Sequence, residues 1–312
     1  ASNNTAVGYQ ALIANTTGSD NVAVGHESLT ANTTASNNTA IGRRALHTNT
    51  IGLHNQAVGN YALQSCTTGS YNIGLGYNTL GGITTQNYNV AIGDAALEAN
   101  TANNNTGVGH RALYVNTTGG PNEAFGAYAL DANTTGGGNV GLGYQSLTAN
   151  TTASFNTAVG YLSLTANTTG TRNTGVSSYT LNANTTANDN TALGYAALYL
   201  NTTGASNTAL GVYALDANTT ASNNTAVGYK SLTGNTTGSD NTGVGDYSLG
   251  VNTTGDNNTA VGRYALLNNT TADNNTAVGK SALQENTSGT SNTAFGKDAG
   301  KAITTNSGCT LI

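Results

Sequence analysis

The chain has 312 residues and a net charge of −5, and only 7% of its residues are Asp, Glu, Lys or Arg. Its nine basic residues are scattered and form no stripe able to neutralise a nucleic-acid backbone or dock on anionic lipid, so neither partner is expected. No apolar run reaches the roughly 18 residues of a spanning helix and no basic-plus-hydrophobic leader is present, so membrane insertion is not expected.

A glycine recurs every 17 residues almost without slip, from Gly8, Gly25, Gly42 and Gly59 through Gly93, then after one 16-residue step from Gly109 onward to Gly296. Registered on that period, the sequence is 18 copies of a unit approximating N-T-A-V-G-Y-x-A-L-x-A-N-T-T-G-x-x. Tandem self-similarity at fixed period marks an architecture in which each unit covers its neighbour. Length therefore measures the number of stacked turns, and one elongated domain is expected, with tandem repeats over 1–296 and a variant terminal repeat over 297–312. The chain opens mid-repeat at Ala1-Ser2-Asn3-Asn4 and reads as a fragment or a mature segment.

Each unit begins with an Asn found in every copy, as at Asn4, Asn21, Asn38 and Asn55. Identical amides on successive turns can hydrogen-bond up and down a ladder. The strand segment follows, typified by Thr5-Ala6-Val7. Its middle position is always Ala or Gly, as at Ala23 and Ala40, and the next is always larger and apolar, as at Val24, Ile41 and Phe125. Adjacent residues of a strand point to opposite faces, so this strand is apolar on both and is expected to be covered on both: by the coil's own interior and by a partner chain. A monomeric solenoid whose loops fold over the wall is the alternative.

After the glycine, the sequence loosens. The next position reads Tyr9, His26, Arg43 and Asn60, and such tolerance marks solvent. The Leu column, beginning Leu12, Leu29 and Leu46 and failing only at Gly300, must be core. The N-T-T segment carries a fixed Thr, as at Thr16 and Thr33, and β-branched residues suit pleated backbone. Turns are expected at the Gly or Ala after N-T-T and at the Ser-Asp, Ser-Asn or Gly-Gly pairs beyond it. One turn, near Thr101-Ala102, has lost a residue without breaking register. Proline is confined to Pro121 in a turn slot, as a ladder needing every N–H requires. The expected fold is all-β, a parallel β-solenoid or β-roll of 18 coils, each with two short strands and two turns, in an intertwined or side-by-side homotrimer. Helix is excluded by the Gly and β-branched content of every unit.

No catalytic or metal constellation emerges from the motifs. His26, His47, His54 and His110 occupy variable slots, and although His47 and His54 share a coil no Cys or carboxylate joins them at ligand spacing. Gly136-Gly137-Gly138 lacks the Lys and following helix of a phosphate loop. No base is fixed near the Ser-rich turns, and the 14 acids are scattered. The chain is not expected to be an enzyme or to need a cofactor. Cys66 takes the second Asn slot and Cys309 the first; at about 4.8 Å per coil they lie too far apart for an intrachain bridge. An interchain bridge requires a cysteine facing a symmetry axis. Asn-x-Thr sequons at Asn3, Asn15, Asn32 and Asn133 allow dense glycosylation in a host that modifies Asn, but the ladder itself demands the same residues. Tyr9, Tyr77, Tyr144, Tyr161, Tyr195 and Tyr229 recur directly after the glycine, where amphipathic rings suit surface contact or packing on a neighbouring coil.

The phrase N-[TV]-A-[VI]-G, as at Asn21-Val22-Ala23-Val24-Gly25 and Asn89-Val90-Ala91-Ile92-Gly93, resembles the strand motif of trimeric autotransporter adhesin heads. The longer phrase from Ala6 to Gly18, and again from Ala226 to Gly238, resembles repeats of phage tail fibres, notably those of aquatic bacteria and cyanobacteria. The closing stretch Ala299 to Thr310 is similar to the variant unit with which such arrays finish before a chaperone or tip domain. The resemblance implies a homotrimeric fibre shaft on a virion tail or other extracellular surface, with a host-surface glycan or protein as partner. A cellular adhesin or filament and a monomeric ice-binding solenoid are the alternatives.

Overall fold

The computed structural model describes residues 1–312. They form two compact units, Ala1–Phe155 and Asn156–Ile312, each a stack of parallel β-solenoid coils. Every regular element is a strand of two or three residues. The first unit runs from β1 (Thr5–Val7) and β2 (Val22–Val24) to β9 (Val140–Leu142), and the second from β10 (Thr157–Val159) to β19 (Thr310–Leu311). Within a unit each strand pairs in parallel with the next one in sequence. Thr5 lies opposite Val22, Ala6 opposite Ala23 and Val7 opposite Val24, so like residues stack on like. The 16-residue step is absorbed outside the strand, because Val90 still faces Thr106 and Ile92 faces Val108. The terminal repeat keeps this register too, with Thr293 opposite Thr310.

The coil has one strand, not the two expected from the sequence. The N-T-T segment is bonded from coil to coil, with Thr16 N–H donating to Thr33 O at 2.9 Å, but it forms no second strand. Its ladder is reinforced by side chains: the Thr16 hydroxyl donates to Thr33 O at 2.9 Å and that of Thr33 to Thr50 O at 3.2 Å. The remainder of each coil is turn, and it is a turn with an unusual backbone. Leu29, at φ 48°, and every other residue of the Leu column adopt the left-handed conformation, as do the residues two before them, such as Glu27 at φ 56°. For a residue with a side chain that conformation costs roughly 1–2 kcal/mol, comparable with the roughly 1.5–3 kcal/mol gained by burying leucine, so burial and inter-coil bonding hold it there.

The interior is thin and half polar. Leucines from Leu29 to Leu283 are fully buried, with the Ala/Gly strand column and an Ala, Ser or Thr column beside them. Both Asn columns are buried as well. Each first-column Asn receives its predecessor's side chain at its own backbone, as where Asn21 N–H donates to Asn4 Oδ1 at 3.0 Å. Its amide then closes the coil, Asn21 Nδ2 donating to Ala35 O at 2.8 Å. The second-column Asn32 donates to that same carbonyl at 3.1 Å and to Asn15 Oδ1 at 3.0 Å. The two amide columns therefore satisfy the turn carbonyl that a narrow coil would otherwise bury without a partner.

Core volume is traded between two columns in some coils. Where the strand column is Gly at Gly74, Gly141, Gly175 and Gly243, the column before Leu holds Thr79, Ser146, Thr180 or Ser248, whereas Gly107 keeps Ala112 and Ser28, Ser163 and Ser231 sit in coils with Ala. A Cβ added at Gly175 would lie 2.7 Å from Ser163 Oγ and 2.9 Å from Thr180 Oγ1, so the glycine makes room for a hydroxyl pair that is itself bonded at 2.8 Å.

Cys66 is fully buried in the second Asn column, which removes it from any bridge between chains; Cys309 is partly exposed, and both are free. The sequons divide in the same way. Asn32 and Asn133 are buried and inaccessible to a glycosylating enzyme, Asn15 is half-buried, and Asn3 is exposed at a turn.

Candidate binding surface

The strand presents its two faces unequally. Ala23, Ala40, Ala57 and the rest of that column lie inside, so Val7, Ile41, Phe125 and Leu142 in the first unit, and Leu193, Leu210, Val261 and Phe295 in the second, point outward and are 37% exposed or more. No loop folds over them. The residue two before each shares this outer face, and in the second unit it is Thr in every strand from Thr157 to Thr293. The second unit thus carries a rank of threonines beside a rank of apolar residues, whereas in the first unit the same position also holds Val22, Gln56, Ile73, Val90, Glu123 and Val140.

Tyrosines define a second surface. The six that follow the column glycine are between 42% and 64% exposed. They do not stand alone, because a further tyrosine column, one residue on, was not singled out from the sequence: Tyr61, Tyr128, Tyr179, Tyr213, Tyr247 and Tyr264, all half-buried. Rings of the two columns meet edge to face between successive coils, with Tyr61 and Tyr77 at 5.9 Å, Tyr161 and Tyr179 at 5.5 Å, and Tyr229 and Tyr247 at 5.6 Å. The signal was available as Tyr two residues after Gly, but it is diluted because the same column also holds Gln10, Glu27 and Arg44. Tyr9 stacks on His26 at 5.1 Å, and Tyr144 meets Tyr128 at 6.2 Å. In the first unit a separate stack of His54, Tyr71 and Tyr88 occupies the turn before the strand.

The histidines are engaged by neighbours on the surface. His110 lies 3.4 Å from Asp94, and His47 meets the carbonyl of Glu27 and the Arg44 side chain, each at 3.2 Å. No group of three or more His, Cys, Asp or Glu side chains converges to hold a metal ion. Ion pairs join successive coils at the surface, with Arg172 bidentate to Asp189 at 2.6 and 2.9 Å, which draws that carboxyl below its ordinary range. Asp131 is pushed the other way by burial, against the opposing pull of Arg111. At the deleted turn, Asn100 Nδ2 reaches Ala102 O at 2.8 Å, and Asn105 Nδ2 reaches Asn100 Oδ1 at 3.2 Å, so the amide columns splice across the shortened coil.

No protein-family model matches the chain, and no curated protein matches it. What the fold and surface define is a repeat β-solenoid with an amide-laddered interior, an outward apolar rank and a doubled tyrosine column.

Proposed function

We propose that the chain is the shaft of an extracellular fibre, a homotrimer on a viral tail or other surface that presents host-attachment determinants. The observation that supports this reading is the outward Val/Ile/Leu/Phe rank. A side chain of that kind on every coil, left in water, is an apolar strip of the sort that marks an interaction surface on a soluble protein. Because the strip is the same on every copy, closed symmetric association covers it. The repeat phrases shared with tail fibres and adhesin heads favour three chains. Mechanism here is mechanical: inter-coil bonding and burial between chains give stiffness, while the variable columns are free to suit a receptor glycan or protein. The mass of the particle in solution tests it. Three chains at micromolar concentration is the expected result, and a single well-folded chain overturns the trimer.

One observation favours a second reading. The unbroken threonine rank from Thr157 to Thr293 lies beside an apolar rank on one face, the arrangement expected of an ice-binding solenoid acting as a monomer. Thermal hysteresis in the single-chain form separates the two, since a shaft predicts none.

A further inference from the structure

The doubled tyrosine column of the second unit borders an open pocket of about 340 Å³ lined by Tyr179, Tyr195, Ala196, Tyr199, Tyr213 and Asp216. Its origin is one small side chain. Ala196 occupies the column that holds Tyr179 one coil before and Tyr213 one coil after. Tyr195 and Tyr199 come from the same coil as Ala196 and flank it, while Ala196 itself is 5% exposed and forms the floor. The rings stand around the space rather than forming a platform. Tyr195 lies 5.8 Å from Tyr179 with planes at 79° and 5.5 Å from Tyr213 at 84°, and Tyr199 lies 6.3 Å from Tyr179 at 78°. The remaining wall is Asp216, half-buried, which accepts a 2.5 Å hydrogen bond from the Thr233 hydroxyl. Burial, the largest influence on it, pushes the Asp216 carboxyl above its ordinary range.

Two coils further on, the same arrangement surrounds a positive charge. Tyr213, Tyr229 and Tyr247 take the places of Tyr179, Tyr195 and Tyr213, and Lys230 takes the place of Ala196. The Lys230 ammonium lies 5.7, 5.4 and 5.6 Å from the three ring centroids, within the range at which ring quadrupoles attract a cation. Hydrogen bonding to the Tyr247 hydroxyl, with Tyr229 beside it, raises the Lys230 pKa, so hydroxyls as well as rings hold the ammonium. Around Ala196 the same scaffold opens to solvent, with a fourth ring and a carboxylate added.

We propose that the pocket bordered by Tyr179, Tyr195, Tyr199 and Tyr213 binds an organic ammonium group, preferentially a methylated one such as the trimethylammonium of choline, with Asp216 as the counter-charge. A trimethylammonium needs no hydrogen-bond acceptors and presents a round, weakly hydrated cation to rings on several sides, which is the geometry of aromatic cages. A sugar ring asks for a flat aromatic face and several polar partners around its edge, whereas here the rings are nearly perpendicular and one carboxylate is the only charged side chain of the lining. The site uses none of the residues of the outward apolar rank, so it does not depend on the shaft reading.

Calorimetric titration of the full chain with choline chloride and with tetramethylammonium chloride tests the proposal, with an expected Kd on the order of 1 mM. The neutral tert-butyl analogue of choline should bind the wild type at least about tenfold more weakly, because it has the shape without the charge. Tyr199→Thr, which installs the residue found two coils on, should weaken choline about tenfold, and Ala196→Lys should abolish binding by seating a lysine as Lys230 is seated. Vesicles of phosphatidylcholine, compared with phosphatidylglycerol, distinguish a lipid headgroup from a free small molecule as the source. Equal binding of choline and its neutral analogue by the wild type overturns the proposal, as does no binding of either cation at tenfold the expected concentration. Choline binding that survives in a folded Ala196→Lys protein overturns the placement.

Discussion

Ser177 is the one residue with a side chain in the glycine column, and it shows why the column is glycine. At Gly228, φ is 131° and an added Cβ would lie 2.7 Å from the carbonyl carbon of Gly245 in the next coil. Ser177 keeps the same backbone, at φ 119°, and the bond beside it stretches: Gly194 N–H reaches Val176 O at 3.1 Å, against 2.8 Å for Gly211 to Leu193. Side chains held in such sparsely populated regions cost of order 1–3 kcal/mol, and the added freedom of an unfolded glycine returns part of that. Ser177→Gly is therefore expected to raise stability by about 1 kcal/mol and to slow hydrogen exchange at the Gly194 amide. A loss of stability would show that the serine is relaxed there. Cys66 carries a second residue-scale prediction. Burial pushes its thiol up to about 12 from an ordinary 9.0. Below pH 9 both folded and unfolded chains hold the proton, and its contribution is fully present. Between pH 9 and about 12 only the unfolded chain releases it, so stability falls with rising pH by about 1.4 kcal/mol per unit. Denaturation of wild type and Cys66→Ala from pH 8 to 11 should show that extra slope in the wild type alone.

At the scale of the element, the second amide column is a ladder with a break. The break leaves a mark, because Asn49 Oδ1 is buried without a hydrogen-bond partner: the next rung is Cys66 and the one after is Ile83. Asn286 Oδ1 is unpartnered for the same reason, since Ile303 follows it. Cys66→Asn alone gives Asn49 its donor but moves the orphaned oxygen to face Ile83, and Ile83→Asn alone leaves the gap at Cys66. Each single change should lose stability or leave it unchanged, while the double mutant recovers a favourable coupling of about 1–2 kcal/mol. Additive effects in the cycle would show that the rungs do not communicate. The Asn columns, the Leu column and the outward tyrosines were legible because each is a residue type held at fixed spacing. The turn between glycine and Leu was not, because left-handed backbone there falls on Gln10, Glu27, Arg44 and on leucine itself, none of which signals positive φ, whereas the turn at Asn3, Asp20 and Asn37 uses residues that do. β-Branching in N-T-T favours a second strand, but its threonines spend their hydroxyls on the next coil's carbonyls within an irregular path.

For the whole molecule, the sequence set the Ala/Gly and Val/Ile columns on opposite sides of one strand, and the structure gives the inner side to the smaller residues, since nothing larger fits beside Leu and two asparagines in so thin a coil. Which side is inside decides what a charge does. Ala158 is fully buried in β10, and an aspartate there would sit among apolar and amide groups with no cation, at a cost of several kcal/mol. Ala158→Asp is therefore expected to unfold the local coils, read as loss of hydrogen-exchange protection around β10 whatever the oligomeric state. Val159, Leu193, Leu210 and Val227 lie on the outer face, where aspartate remains hydrated in a lone chain but is intolerable in a covered strip. The fourfold replacement of these residues by Asp should leave exchange protection and circular dichroism of the single chain intact while lowering the particle mass from three chains toward one. If the wild type itself sediments as one chain, the strip faces water by design and the threonine rank beside it becomes the surface to test. If the fourfold variant keeps the mass of an oligomeric wild type, the contact between chains lies elsewhere, and the variable columns with their tyrosines are the next surface to charge.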